Sequence, residues 1–349
     1  MKILKNLKKS LFKNRTLKEV GIDLGTANTV IYVRDKGIVL DEPTYIAKNN
    51  RTDKLDKAGE EAKKISGRVP KYIDIIRPLK DGVISNYEAV LVMLEEFFER
   101  ISEENESPDK VIVCVPSGVT QVERRSVFNV VLDAGAKEVY LVEEPIVAAI
   151  GAGIDIFQPK GHLIVNVGAG TTEISFISSG GSSISRSIRV AGDHLDQDIV
   201  EFIKEQYSIL VGIKTAELLK IKANSSQNEK EQFEIRGIGT QNSLPRSIEI
   251  VGTQVDIAIS NKINAIIDNI KLALEDIEPE ISADIYETGI FLAGGGANIR
   301  ILKKRIEEEF KLKVTVSENA IHAVINGIAK ILEDTEKYKD LIMSDHVEY

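Results

Sequence analysis

The stretch VNVGAGTTE at 165–173 is a near-copy of GIDLGTANT at 21–29. Each is an apolar run interrupted by one polar residue, followed by glycine, small residues and threonine. The interrupting residue is Asp23 in the first copy and Asn166 in the second. Gly25 with Thr26 and Ala27, and Gly168 with Ala169 and Gly170, allow a ligand close to the main chain. Free N–H groups in such turns can cradle phosphate oxygens. One turn of this kind reads equally well as a tight β-hairpin. Two of them, in separate halves of the chain, predict hairpins that face each other across a cleft and clamp a phosphate chain from both sides. Neither matches a Walker loop or a dinucleotide fingerprint.

The surrounding pattern also repeats. Residues 20–34 and 162–178 each read as strand, turn, strand. GIVLDEPTYIAK at 37–48 reads as a strand pair around Pro43, and 49–64 as a charged loop entering a helix. Helical spacing predicts a helix at 88–101, and the continuous apolar run VIVCVP at 111–116 predicts a buried strand. A helix at 120–136, a strand at 138–145 and a small-residue helix that packs closely follow. After the second strand–turn–strand come a third strand, helices near 194–207 and 215–223, strands at EQFEIRGI and RSIEIVG, and a long helix at 254–277. TGIFLAGGGANIRILKKRIEEEF at 288–310 reads as strand, glycine turn and helix, with a closing helix at 322–334. Strands mixed with helices in two comparable blocks predict an α/β protein with an internal duplication.

Composition narrows the class. At 349 residues the chain exceeds one ordinary core, which predicts two lobes. With 43% hydrophobic and 28% charged residues it fits a soluble globular protein. A net charge of −9 argues against general nucleic-acid binding. One cysteine, Cys114, fits a reducing cytoplasm, and one cysteine with four scattered histidines argues against a structural zinc site. No apolar run is long enough to span a membrane, and no secretory signal is evident. Residues 1–18 form a separate, purely basic segment in which Ile3, Leu4, Leu7, Leu11 and Phe12 make one helical stripe. A basic amphipathic helix of this kind can lie on a membrane surface.

Three further features point to nucleotide chemistry. Gly294, Gly295 and Gly296 precede a helix, clear space for a flat group and place it near a helix N-terminus. Asp23 in the first turn is a natural partner for Mg²⁺ beside phosphates. Glu143-Glu144-Pro145 ends a strand aimed at the same cleft, where a carboxylate can position water for in-line attack.

These motifs resemble the actin-like ATPase superfamily, and within it the bacterial actin MreB family, in the manner of a divergent paralogue. GIDLGTANT, GIVLDEP, RPLKDGVI, VCVPSGVTQVERR, VEEP, AGTTE, RVAGD, PEISADI and LAGGGA follow the order of that family's signatures from about residue 20 to 335. The resemblance implies an actin-like two-lobed fold with duplicated ribonuclease-H-like domains and four subdomains around a nucleotide cleft. It implies domain I at 20–150 plus 322–340 with an insertion at about 35–80, and domain II at 151–321 with an insertion at about 194–253. The basic segment at 1–19 and a tail at 341–349 flank them.

The resemblance also implies site roles. Asp23 would face the Mg²⁺-bound phosphates of ATP. Gly25, Thr26, Ala27 and Asn28 would form one phosphate loop, and Gly168, Ala169, Gly170 and Thr171 the other. Glu144 would hold the attacking water, with Thr171 across the cleft. Glu217, Leu218, Leu219 and Lys220 would lie near ribose and base, and Gly294, Gly295, Gly296 and Ala297 against adenosine. It further implies an ATPase that polymerises with itself as paired protofilaments, with paralogues as further partners. Its place would be the cytoplasm, on the inner face of the cell membrane, supporting cell shape.

Three departures qualify this. The family pattern in the second loop is V-D-I-G-G-G, where this chain has Asn166 and Ala169. Asn matches the shape of Asp but carries no charge, so ATP binding with slow hydrolysis is expected. The segment SEENESPDK at 102–110 is acidic where relatives carry an apolar membrane loop. KIKANSS at 220–226 replaces an acidic family pattern near the ribose. Two other classes compete: a sugar-kinase-like phosphotransferase, which needs a base beside a sugar pocket, and a DnaK-type chaperone. The chaperone needs a β-rich substrate domain after residue 335, and too little chain follows.

Overall fold

A computed structural model describes residues 19–102, 107–226 and 228–343. The basic N-terminal stripe, residues 103–106 of the acidic stretch, residue 227 and residues 344–349 lie outside the described residues, whereas Met343 of the tail pairs with Leu141. Glu19, placed in the basic segment by sequence, is the first residue of strand β1 (Glu19–Leu24).

Two five-stranded sheets carry the same topology. The first joins β1 to β2 (Asn28–Val33), β3 (Gly37–Pro43), β9 (Lys110–Val115) and β10 (Glu138–Glu143) in the order β10-β9-β1-β2-β3. The second joins β11 (His162–Val167), β12 (Thr172–Ser178), β13 (Gly181–Ile188), β17 (Ile290–Ala293) and β18 (Val314–Val316) in the order β13-β12-β11-β17-β18. In each, three antiparallel strands are followed by two parallel ones. Even the bulge recurs, between Ile31 and Tyr32 in one sheet and between Phe176 and Ile177 in the other. The near-repeat read from sequence is therefore a repeat of whole sheets.

Smaller sheets are inserted in each half. Strands β4 (Ile46–Asn49), β5 (Lys54–Ala58) and β6 (Ile73–Ile76) form one, with helix α1 (Glu60–Ile65) between β5 and β6. The strand pair expected around Pro43 is not one: β3 stays in the main sheet, and β4 belongs to the insert. A two-stranded hairpin, β7 (Leu79–Lys80) with β8 (Val83–Ile84), follows. In the second half β14 (Ile209–Leu210), β15 (Gln232–Gly239) and β16 (Pro245–Val251) form the corresponding small sheet.

Local chemistry sets the helices. α2 (Tyr87–Ile101) is capped by Asn86, whose side chain accepts from the Ala89 amide at 3.0 Å. It buries Val90, Met93, Leu94 and Phe97 on one stripe, each contributing about 2 kcal/mol. α3 (Gln121–Asp133) starts with a reciprocal Thr120–Glu123 capping box. α5 (Gly192–Tyr207), α6 (Ile213–Ser225) and α7 (Gly252–Glu275) lie close to the predicted spans. α8 (Pro279–Thr288) falls outside the expected elements, although Pro279 in its first turn is a helix-start signal. α9 (Arg300–Phe310) follows a short 3₁₀ turn.

Helix α4 (Glu144–Gly151) follows β10 without a loop, so the strand expected to reach Pro145 stops at Glu143. Helix α10 (Ala323–Glu333) returns from the second half and packs on α4 and β1. Their shared core takes in Ile112 and Cys114 of the first sheet and Ile164 and Ala293 of the second. These two helices are the floor on which both sheets rest.

Candidate functional site

Both glycine turns are tight hairpins, each closed by the same bond. Gly25 N donates to Asn28 O at 3.1 Å, and Gly168 N donates to Thr171 O at 2.9 Å. The hairpin and phosphate-cradle readings are thus not exclusive, because the turns face one cavity. It has a volume of about 630 Å³ and lies between the two sheets, within the usual range for small-molecule sites.

Close approach requires Gly170. A Cβ there would lie 2.6 Å from Thr26 Oγ1 and 2.9 Å from both Asp81 Cα and Gly82 N. The tip of the β7–β8 hairpin thus wedges against both turns, and the Gly82 amide donates to Thr26 Oγ1 at 3.1 Å. Ion pairs span the mouth: Lys63 to Glu217 at 3.0 Å, and Arg77 to Asp193 at 2.6 Å. Arg77 also lies over the Tyr45 ring.

Most sequence-predicted residues converge here. Asp23, Gly25, Thr26, Ala27, Asn28, Glu144, Gly168, Ala169, Gly170, Thr171, Glu217, Lys220, Gly294, Gly295 and Gly296 all line the cavity. Three do not. Helix α6 presents Glu217, Lys220, Ile221 and Asn224, spaced i, i+3, i+4 and i+7, so one face meets the cavity. Leu219 points into the core at 3% exposure, and Leu218 faces solvent. Ala297 is buried in the second-lobe core behind the glycine turn.

The three glycines are not equivalent. A Cβ on Gly294 would sit 2.4 Å from Val167 O, and one on Gly296 would sit 2.3 Å from Val167 Cγ1. Both are needed for packing on the end of β11, and only Gly295 faces open space. At the helix N-terminus beyond them the first amide is already engaged, since Arg300 N donates to Asn224 Oδ1 at 3.0 Å.

Sequence reasoning missed Asp41, Cys114, Asp193, Asp196, Asn224 and Asn298, which also line the cavity. Asp196 is the clearest loss. Lys220 Nζ lies 2.8 Å from its Oδ1, and burial nevertheless pushes its carboxyl up to about 6. It lies three residues beyond RVAGD, on the second turn of α5, so an acid close to a matched motif was the available signal.

Electrostatics at the floor are distinctive. Asp23 is raised to about 6 by burial, with the Cys114 thiol 3.8 Å away. Burial also holds Glu144 well above the usual carboxylate range, reinforced by Glu173 and Asp23. Asn166 Nδ2 donates to Glu144 Oε1 at 2.7 Å and opposes that shift. Asn166 Oδ1 is buried with no protein partner. Buried oxygens that lack donors, beside a desolvated carboxylate, suit a hard cation. Among the described residues no cluster of three or more His, Cys, Asp or Glu could hold a metal alone. Asp23, with phosphate and water oxygens completing the shell, fits Mg²⁺ better than an all-protein cage would.

With this geometry in hand, comparisons with known proteins place the chain. The family profile described as MreB/Mbl protein matches residues 17–340. The cell shape-determining protein Mbl of Bacillus subtilis is 41% identical over 323 residues, covering 92% of this chain and 97% of that protein. The cell shape-determining protein MreB of Escherichia coli is 38% identical over 331 residues, covering 92% and 95%. The crystal structure of MreB5 of Spiroplasma citri bound to AMPPNP superposes with a TM-score of 0.88 at 36% identity, over 93% of this chain and 99% of that one. The MamK double helical filament shares the fold, with a TM-score of 0.77 at 21% identity over 90% and 98% of the two chains. Duplicated sheets about a nucleotide-sized cleft, and that likeness over nine-tenths of its length, make this chain a member of the MreB/Mbl family with its actin-like α/β fold.

Proposed function

We propose that this protein binds ATP in the cleft, polymerises with itself and supports cell shape from the inner face of the membrane, hydrolysing ATP slowly. The observation that supports this most is the convergence of two matched hairpin turns, Asp23, Glu144 and Thr171 on one cavity. The Spiroplasma citri relatives were solved with AMPPNP and with ADP, and the named relatives are cell shape-determining proteins.

In this scheme the amides of 26–28 and 169–171 grip the phosphates, and the α6 face with Gly294–Gly296 holds ribose and base. Asp23 would hold Mg²⁺, which supplies charge neutralisation at the phosphates. Glu144 accepts a hydrogen bond from the attacking water, and Thr171 fixes that water from the opposite wall. Nucleotide contacts on both lobes close the cleft and favour head-to-tail contacts, which generate open filaments. The basic stripe at 1–18 lies on the membrane surface. No described helix is long and apolar enough to cross a membrane.

Co-sedimentation tests this directly. The full chain should pellet with ATP alone, and liposomes should be recruited only while residues 1–17 are present. Absence of polymer at any concentration would reject the filament and favour a phosphotransferase. Undiminished liposome binding after the deletion would reject the anchor.

Asn166 accounts for the slow step. Its amide occupies Glu144 Oε1 and supplies no charge beside the metal. Asn166→Asp should raise the rate of phosphate release about tenfold, a modest share of what a placed base can supply. It should also lower stability in the absence of nucleotide and divalent cation, since two carboxylates would then share a buried site. A phosphate-release rate that stays level or drops would rule this explanation out.

A further inference from the structure

We propose that Glu173 is a positioning residue for hydrolysis, tying the two lobes together at the floor of the cleft. This role presupposes ATP cleavage in the cleft, as proposed above. Glu173 lies on β12 and is fully buried at 0% exposure, yet it does not line the cavity. It therefore lies behind the cavity wall and would act through other groups.

Sheet register explains its place. Glu173 pairs with Asn166 on β11 and with Ser187 on β13. Directly opposed residues on antiparallel strands share a face, so Asn166, Glu173 and Ser187 form one polar row across the second lobe. That row meets the first lobe. Asn166 Nδ2 crosses to Glu144 Oε1 at 2.7 Å, and the Ser117 amide crosses back to Glu173 Oε2 at 3.2 Å. The Ser117 hydroxyl donates to the same oxygen, and the Ser187 hydroxyl donates to Oε1. The bonding is reciprocal: each lobe offers one buried carboxylate and receives donors from the other.

Such a seam has a steep energy. A buried carboxylate that loses its donors keeps its desolvation cost, so the Ser117 loop cannot slide along β12 cheaply. That loop ends β9, which is paired throughout with β10, and β10 runs directly into α4 and Glu144. Thr171 is two residues before Glu173. The Ser117–Glu173 bonds therefore fix the separation of Glu144 and Thr171, the two groups that must hold one water between them. Close packing reinforces the contact, because a Cβ on Gly118 would lie 2.9 Å from Ser187 Cβ.

The test uses the full chain with ATP carrying a labelled γ-phosphate. In Glu173→Gln, single-turnover cleavage should fall about tenfold or more, as small misplacements of reacting groups do. The Kd for ATP should stay within about threefold, because the phosphate grips are untouched. Hydrogen exchange at the Ser117 amide should speed up in the same variant. Ser117→Ala, which keeps the buried acid and the amide bond, should slow cleavage in the same direction by a smaller factor, and it carries the test if Glu173→Gln does not fold. Faster exchange with unchanged cleavage would show a purely structural seam and overturn the proposal. Unchanged exchange, or Kd and rate worsening together, would overturn it too. A chain that binds ATP and never cleaves it would reject the hydrolysis reading and this role with it. That outcome is distinct from a cleaving chain whose Glu173→Gln variant keeps pace.

Discussion

Glu144→Gln should reduce phosphate release from bound ATP by about a hundredfold or more while leaving the Kd for ATP within about threefold. A positioned general base contributes roughly 10²–10⁴-fold, and an amide cannot take the proton. The geometry makes the variant clean. The carboxamide oxygen that replaces Glu144 Oε1 can still accept from Asn166 Nδ2, so the start of α4 keeps its anchor across the cleft. The phosphate grip consists of main-chain amides on the two turns, none of them on α4.

Stability should move the other way. Burial holds the Glu144 carboxyl above its ordinary value, so the folded state favours its neutral form. A raised carboxyl contributes stability that is fully present below the unfolded value and is lost as pH rises through the folded one. At pH 7.5 the nucleotide-free Glu144→Gln protein should be at least as stable as the parent, and the difference should close towards pH 4. Calorimetry at the two pH values measures this alongside the rate. A rate within twofold of the parent would remove Glu144 from the chemistry. A rate loss accompanied by a lower Tm at pH 7.5 would make it a structural loss.

The largest stability effect should come from Gly327→Ala. Where α4 crosses α10, a Cβ on Gly327 would lie 1.8 Å from Val147 O, and one on Gly151 would lie 1.7 Å from Ala323 O. Main chain meets main chain, so no side chain can swing aside. Alanine is favoured over glycine inside a helix by about 1 kcal/mol. Overpacking that forces backbone apart costs about 3 kcal/mol or more, so the clash prevails. The Tm should fall by roughly 3 °C or more. Because α4 begins with Glu144, the same shift should also slow hydrolysis. An unchanged or higher Tm would show that the helices can separate without penalty.

Much of this site was legible in the residues because its signals are local. A hairpin turn needs glycine and small residues whatever surrounds it, so Gly25–Asn28 and Gly168–Thr171 announced themselves. An acid followed by proline marked Glu144 at a strand end, although the expected strand ran two residues into the helix. Helical spacing marked α2, and a continuous apolar run marked β9, because a strand covered on both faces has no polar side.

Other features had no local signal. The ELLK stretch gave no way to know that Glu217 and Lys220 face the cavity while Leu219 enters the core, because the neighbouring lobe chooses the face. Three adjacent glycines looked alike until β11 was placed beside them, and then two proved to serve Val167 and one the cavity. Gly151 and Gly327 lie far apart in sequence, and only the crossing of their helices makes each indispensable. Glu173 reads as an ordinary strand residue, since its donors come from Ser117 and Ser187.

Period and turn chemistry are properties of neighbouring residues. The order of residues alone therefore dictates the duplicated α/β plan, the two glycine turns and the acid at the head of α4. Which side chains meet in the cleft, and which carboxylates are tied across it, follows from how close two distant backbones can come. That distance is set by the packing of α4 on α10 and of one sheet against the other, and no stretch of neighbouring residues encodes it.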